Sequence, residues 1–197
     1  MQSIELQIEN EIESQAKGTL LFGDSFTNFG SSEAIRKALQ RLEEKGFITR
    51  IAQGIYVRPI ISNYIGEVLP SAEEVATCIA KRDRAKIVPT GVYALNALGL
   101  STQVPMNLVY LTDGAPRVIK IGKRTINFKR TTPKNLLAKG DISSLAIQAL
   151  REIGSDQITD DEESKIIELL KKEDRSNLLH DIQLAPVWIK KIMQKAL

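Results

Sequence analysis

The chain has 197 residues, 43% of them hydrophobic, which suits one ordinary domain or two small ones with a real core. Lys and Arg number 27 against 24 Asp and Glu; a net charge of +3 names no partner, so the distribution of charge matters more than its total. A single cysteine, Cys78, excludes an intramolecular disulfide and fits a reduced cytoplasmic setting. The acidic, amphipathic start MQSIELQIENEIE is unlike a signal peptide, and no apolar run nears the roughly 20 residues of a membrane span.

In chain order, Ile4, Ile8 and Ile12 recur at helical spacing over residues 3–16, and Gly18 stops that helix. Asp24 or Ser25 can cap a short second helix carrying Phe26 and Phe29. Ser31 or Ser32 caps a third, with Glu33 in its first turn, where the helix dipole favours a negative charge. Ile35, Ala38, Leu39 and Leu42 share its inner face, and Gly46 stands where a C-terminal cap belongs. Phe47–Ile51 and Ile55–Val57 read as two strands around Ala52, Gln53 and Gly54. Three helices and a hairpin within 60 residues predict a winged helix-turn-helix over residues 1–60, followed by a connector to Pro70.

A second domain is expected over residues 71–197. Ser71 and Glu74 have capping-box spacing at the head of SAEEVATCIAKR, in which Cys78 is expected to pack. A helix fits Thr90–Leu98, a strand Leu108–Leu111, and a hairpin Val118–Ile121 with Thr125–Lys129 around Gly122 and Lys123. Helices fit Ser144–Ile153, Asp160–Lys172 and Pro186–Ala196. The expected class is α+β: the winged helix-turn-helix, then a mixed α/β domain with a helical C-terminus.

Two surfaces carry candidate chemistry. The third helix turns Arg36, Lys37 and Gln40 outward with Arg41 at the flank, behind Ser31 and Ser32. In a recognition helix the N-terminal half meets base edges: Arg pairs with guanine, Gln with adenine, and Ser donates to phosphate. Arg50, Gln53 and Arg58 lie on or beside the hairpin, where a wing tracks the phosphate backbone. The competing reading is a solvated helix face, or a winged helix that docks on protein. The second surface lies between Arg117 and Lys139, which hold eight Lys or Arg and no Asp or Glu. Lys120, Lys123, Arg124, Lys129 and Arg130 mark it as a basic face that can hold phosphates, without exposed aromatics for base stacking. A solvated outer face is the alternative.

Enzyme signatures are sparse. His180 is the sole histidine, so with one cysteine a Cys/His zinc site cannot be assembled in one chain. Gly154-Ser155 is followed by consecutive acids, Asp160 to Glu163, which suit a helix N-terminus better than a metal-binding strand. Neither catalysis nor a cofactor nor a metal is expected. The basic amphipathic APVWIKKIMQKAL is expected to cover the domain's own core rather than a membrane.

The stretch SSEAIRKALQRLEEKGFITRIAQGIYVRP, with Arg36-Lys37-Ala38-Leu39 and Arg50 followed by Gly54-Ile55-Tyr56, resembles the N-terminal domain of AbiEi-type antitoxins and of a sister family of predicted regulators. VPTGVYALNALGLSTQVPMNLVYLTDG, residues 88–114, and the basic hairpin RVIKIGKRTINFKR resemble the second domain of the same family. The resemblance spans roughly residues 3–150. It implies a winged helix that binds double-stranded DNA at inverted repeats upstream of its own operon and represses it. It also implies a second domain active in antitoxicity, and a type IV toxin-antitoxin system, often serving phage defence, whose toxin is nucleotidyltransferase-like. The family's antitoxins act without a stable toxin complex, so direct binding is not implied. By the motif match, Ser31, Ser32, Arg36, Lys37, Gln40 and Arg41 fall on the recognition helix, and Arg50 and Gln53 on the wing. A stand-alone transcription factor and a protein-docking winged helix remain as alternatives.

Overall fold

Apolar periodicity in two short helices sets the first core. The computed structural model describes residues 2–197. Helix α1 (Ile4–Ser14) is capped by Ser3, whose side chain accepts from the Leu6 amide, and it buries Ile8 and Ile12 completely. Helix α2 (Ser32–Glu44) is capped by Ser31 and turns Ile35, Ala38, Leu39 and Leu42 inward. It ends in a Schellman arrangement: Gly46, at φ +70, donates to the Glu43 carbonyl and Phe47 to that of Leu42. The left-handed backbone there explains the glycine.

Between these helices run strand β1 (Leu20–Phe22) and a 3-10 helix, Gly23–Phe29, that buries Phe26. The expected short second helix is thus present in 3-10 form, but its N-cap is Phe22, with no side-chain cap, rather than Asp24 or Ser25, and β1 was not foreseen at all. Strands β2 (Thr49–Ala52) and β3 (Ile55–Val57) follow as the predicted hairpin. They form an antiparallel sheet of order β1-β3-β2, with Leu20 opposite Val57 and Arg50 opposite Tyr56. Ile8, Ile12, Leu21, Phe26, Leu39, Leu42, Ile48 and Tyr56 share the core between helices and sheet.

The expected connector is instead a second hairpin, β4 (Ile60–Ser62) with β5 (Gly66–Val68). Its apolar side chains are outside: Ile61 is 64% exposed, Tyr64 98% and Ile65 75%. Helix α3 (Ala72–Arg82) has its capping box, with the Ser71 amide donating to Glu74 at 2.7 Å and the Glu74 amide to Ser71 Oγ at 3.1 Å. Cys78 is exposed rather than packed. Residues 72, 75, 76, 79 and 80 fill the buried face, and 78 falls beyond its edge.

The chain divides into two compact units, 1–78 with 119–123 and 79–118 with 124–197. The second contains β6 (Ile87–Thr90), α4 (Val92–Ala97), β7 (Asn107–Thr112), β8 (Arg117–Ile121, which crosses the division) and β9 (Arg124–Arg130). These strands make a mixed sheet of order β6-β7-β9-β8, with β7 antiparallel to β6 and parallel to β9. The helix expected from Thr90 starts only at Val92, because Thr90 still pairs with Val109 at the end of β6. Leu108 lies opposite Ile126 and Tyr110 opposite Phe128; all four are buried on one face, and Tyr93 of α4 meets Tyr110 at 5.9 Å.

Four helices complete this unit: α5 (Asp141–Ile153), α6 (Asp160–Leu170), α7 (Arg175–Ile182) and α8 (Val187–Gln194). Their core is aliphatic, from Ala146, Ile147, Leu150, Ile166, Leu170, Leu178, Ile182, Ile189, Ile192 and Met193. The inward Ile189 and Met193 show that α8 covers the domain's own core. The molecule is therefore α+β. No helix among the described residues is long and apolar enough to cross a membrane.

Candidate nucleic-acid interface

Burying one face of α2 leaves the other to carry its charge. Ser31 Oγ accepts from the Ala34 amide at 3.3 Å, which fixes the start of the helix. Ser32, Arg36, Lys37, Gln40 and Arg41 are all exposed. Most of these polar groups have partners. Lys37 pairs with Glu33 at 3.0 Å, one helical turn back, and Gln40 donates to Glu44 at 3.0 Å. Arg41 and Lys45 converge on Glu5 of α1 at 3.4 and 2.5 Å, and the Lys45 contact leads the effects that hold the Glu5 carboxyl below its usual range. Arg36 is different: it makes no ion pair or hydrogen bond with any described residue. An exposed pair such as Glu33–Lys37 is worth little, so Lys37 is readily released to a phosphate.

The hairpin presents Arg50 and Gln53 outward, the latter at the turn with Gly54 at φ +70. A register shift between Arg50 and Ala52 bends β2, and the Arg50 Nε donates to the Ala52 carbonyl at 3.4 Å. Arg58 is placed differently. It is half-buried over the Phe47 ring at 5.3 Å, and its Nη1 donates to the Glu13 carbonyl at 3.4 Å. Its guanidinium thus ties the sheet to α1 rather than standing free beside the hairpin.

The second basic stretch is not one face. Lys120 is exposed in β8 and Lys123 in the turn after it. In β9, Lys129 lies on the side opposite Ile126 and Phe128, whereas Arg124 and Arg130 have the parity of those two apolar residues. Arg117 stacks over Phe128 at 5.6 Å and pairs with Asp83, so this stretch does have a counter-charge, supplied from beyond the end of α3.

The residues weighed for catalysis have structural duties. His180 Nδ1 lies 2.7 Å from Oδ1 of the fully buried Asp181. Thr159 and Glu162 complete a capping box at α6, which accounts for the acidic run there. No group of three or more His, Cys, Asp or Glu able to hold a metal occurs among the described residues.

Comparison with known proteins adds little on function. No curated protein matches the chain. A crystal structure of the RV2827C protein from Mycobacterium tuberculosis is similar at 10% identity and a TM-score of 0.47, over 99% of this chain and 82% of that one. Over residues 7–178 the chain matches the model of a family of unknown function, DUF6088, and it belongs to that family.

Proposed function

We propose that this protein is a DNA-binding transcriptional repressor whose residues 1–60 form a winged helix-turn-helix. α2 is its recognition helix and the β2–β3 hairpin its wing. The observation that carries the reading is Arg36: an unpartnered guanidinium in the N-terminal half of a helix packed on a three-stranded hairpin sheet. Arg36 and Gln40 contact base edges. Ser31, Ser32, Lys37, Arg41, Arg50 and Gln53 contact phosphate and sugar. Arg58 steadies the wing from behind.

The resemblance to AbiEi-type antitoxins supports a wider role: a cytoplasmic, non-enzymatic antitoxin that autoregulates its operon through inverted repeats and counteracts a nucleotidyltransferase-like toxin. Residues 71–197 carry the antitoxin function. Rescue of growth when the chain is co-expressed with such a neighbouring toxin gene tests this half, and unrelieved toxicity would leave a stand-alone regulator.

The DNA half is tested on a fragment upstream of the gene against random DNA. Arg36→Ala is expected to reduce discrimination between them by about 1–3 kcal/mol, whereas Arg50→Ala weakens both alike. Equal losses on both DNAs from both changes would remove the assignment of α2.

A further inference from the structure

Five exposed large apolar side chains, Ile60, Ile61, Tyr64, Ile65 and Leu69, fall on the β4–β5 hairpin and its exit. A hairpin turn that faces water carries small polar residues; this one carries Tyr64 and Ile65, the two most exposed of the five. The hairpin is a sheet of its own, so each of its strands keeps an unpaired edge. Two strands alone are marginal in water, and an open edge is a template for a further strand.

The arm is nevertheless held in place. Ser62 Oγ accepts from the Tyr64 amide at 3.2 Å, and the Thr49 hydroxyl of β2 donates to the Glu67 carboxylate. Ile60 turns toward Gly18, its Cδ1 3.0 Å from where a Cβ on that glycine would stand. Strand parity then sends Ile61 to the opposite face, and the turn carries Tyr64 and Ile65 beyond it.

The chemistry of the patch narrows what covers it. Between Pro59 and Leu69 the one charged residue is Glu67, and Thr49 already occupies its carboxylate. A neutral apolar surface has nothing to offer a partner recognised by charge, but it is complementary to its own copy, as a two-fold interface requires. An antiparallel ladder is itself symmetric about a two-fold, so an open edge of this hairpin can pair with the same edge of a second chain. By their fractional exposures the five side chains present about 600 Å² per copy, or about 1,200 Å² in a pair, the lower bound of stable specific interfaces before the polar residues between them are counted.

We propose that the β4–β5 hairpin is a dimerisation arm: two copies of this chain pack their hairpins together about a two-fold axis, with Tyr64 and Ile65 at its centre. The inference goes beyond the DNA-binding reading and uses none of its residues, so either can fail without the other.

The test is sedimentation equilibrium of the full chain across a micromolar concentration series, with amide hydrogen exchange at the same concentrations. The mass should rise to twice the 21.9 kDa of one chain, and the amides of residues 60–68 should exchange more slowly as it does. Tyr64→Ser and Ile65→Ser should each weaken the dimer about tenfold or more, and neither should lower the thermal midpoint of the monomer, because both side chains are exposed there. Val187→Ser, at a comparably exposed apolar residue on α8, should leave the dimer unchanged. A single-chain mass at every concentration overturns the proposal. So does a dimer that both hairpin variants leave intact, or that Val187→Ser weakens equally. A monomer whose hairpin amides slow only when a DNA fragment is added also overturns it, by giving the arm to DNA.

Discussion

Asp181 shows how much one buried side chain organises. Its carboxylate is fully buried and accepts from the Lys139 amide at 2.9 Å, the Gly140 amide at 2.9 Å, Ser143 Oγ and His180 Nδ1. Glu173 accepts from the Ile142 and Ser143 amides. Together these two acids cap the start of α5, whose own N-cap, Gly140, has no side chain to do so. A Cβ at Gly140 would collide with the Glu173 carboxyl and Ser143 Oγ, which explains the glycine by close approach. Burial opposes ionisation of Asp181, but the bonds from His180, Ser143, Gly140 and Lys139 outweigh it, so its pKa lies below the ordinary 3.8. A lowered folded-state pKa means that this stabilisation is complete above 3.8 and drains away as the pH falls below it. Asp181→Ala is therefore expected to cost at least about 2 kcal/mol at neutral pH. The gap to wild type in urea midpoints should narrow below about pH 4. A gap that stays constant down to pH 2 would refute the role.

At the scale of elements, the local signals proved the readable ones. The Ser31 cap, the Gly46 stop, both capping boxes and the Ile126/Phe128 alternation lie within a few residues of one another, and each has its expected counterpart in the structure. The elements missed are those that tertiary contact creates. β1 is three residues long and exists because Leu21 pairs with Tyr56. β6, for which no strand was expected, carries Pro89; it is an edge of its sheet, where proline is tolerated. α7 is short, and its sequence RSNLLHDI has little amphipathic pattern. The same holds for the site. The outward face of α2 was legible from periodicity, while the capture of Arg41 by Glu5, of Arg58 by Phe47 and of Arg117 by Asp83 joins residues 34 or more apart or sits across a turn. The seat of α2 itself is testable. Ile12 is wholly buried in the core beneath it. Ile12→Ala should cost about 2–5 kcal/mol and weaken DNA binding only through unfolding, so affinity returns on cooling. A large stability loss with a fully intact DNA complex at all temperatures would detach α2 from that core.

For the whole molecule, a net charge of +3 is too small for indiscriminate attraction to nucleic acid, so the proposed DNA binding rests on placement. In the first unit that placement is Arg36 and Arg50 outward with Lys37 loosely held. The second unit offers dispersed cations rather than one basic plane. The proposed operator reading thus belongs to the first unit alone. It is tested most directly by measuring the affinity of the full chain for the fragment upstream of its gene and for random DNA across a salt series. The account predicts tighter binding to the upstream fragment, with affinity falling steeply as salt rises, by a slope of about −0.9 per phosphate neutralised. Equal, weak binding to both fragments, or no binding at low salt, would contradict it.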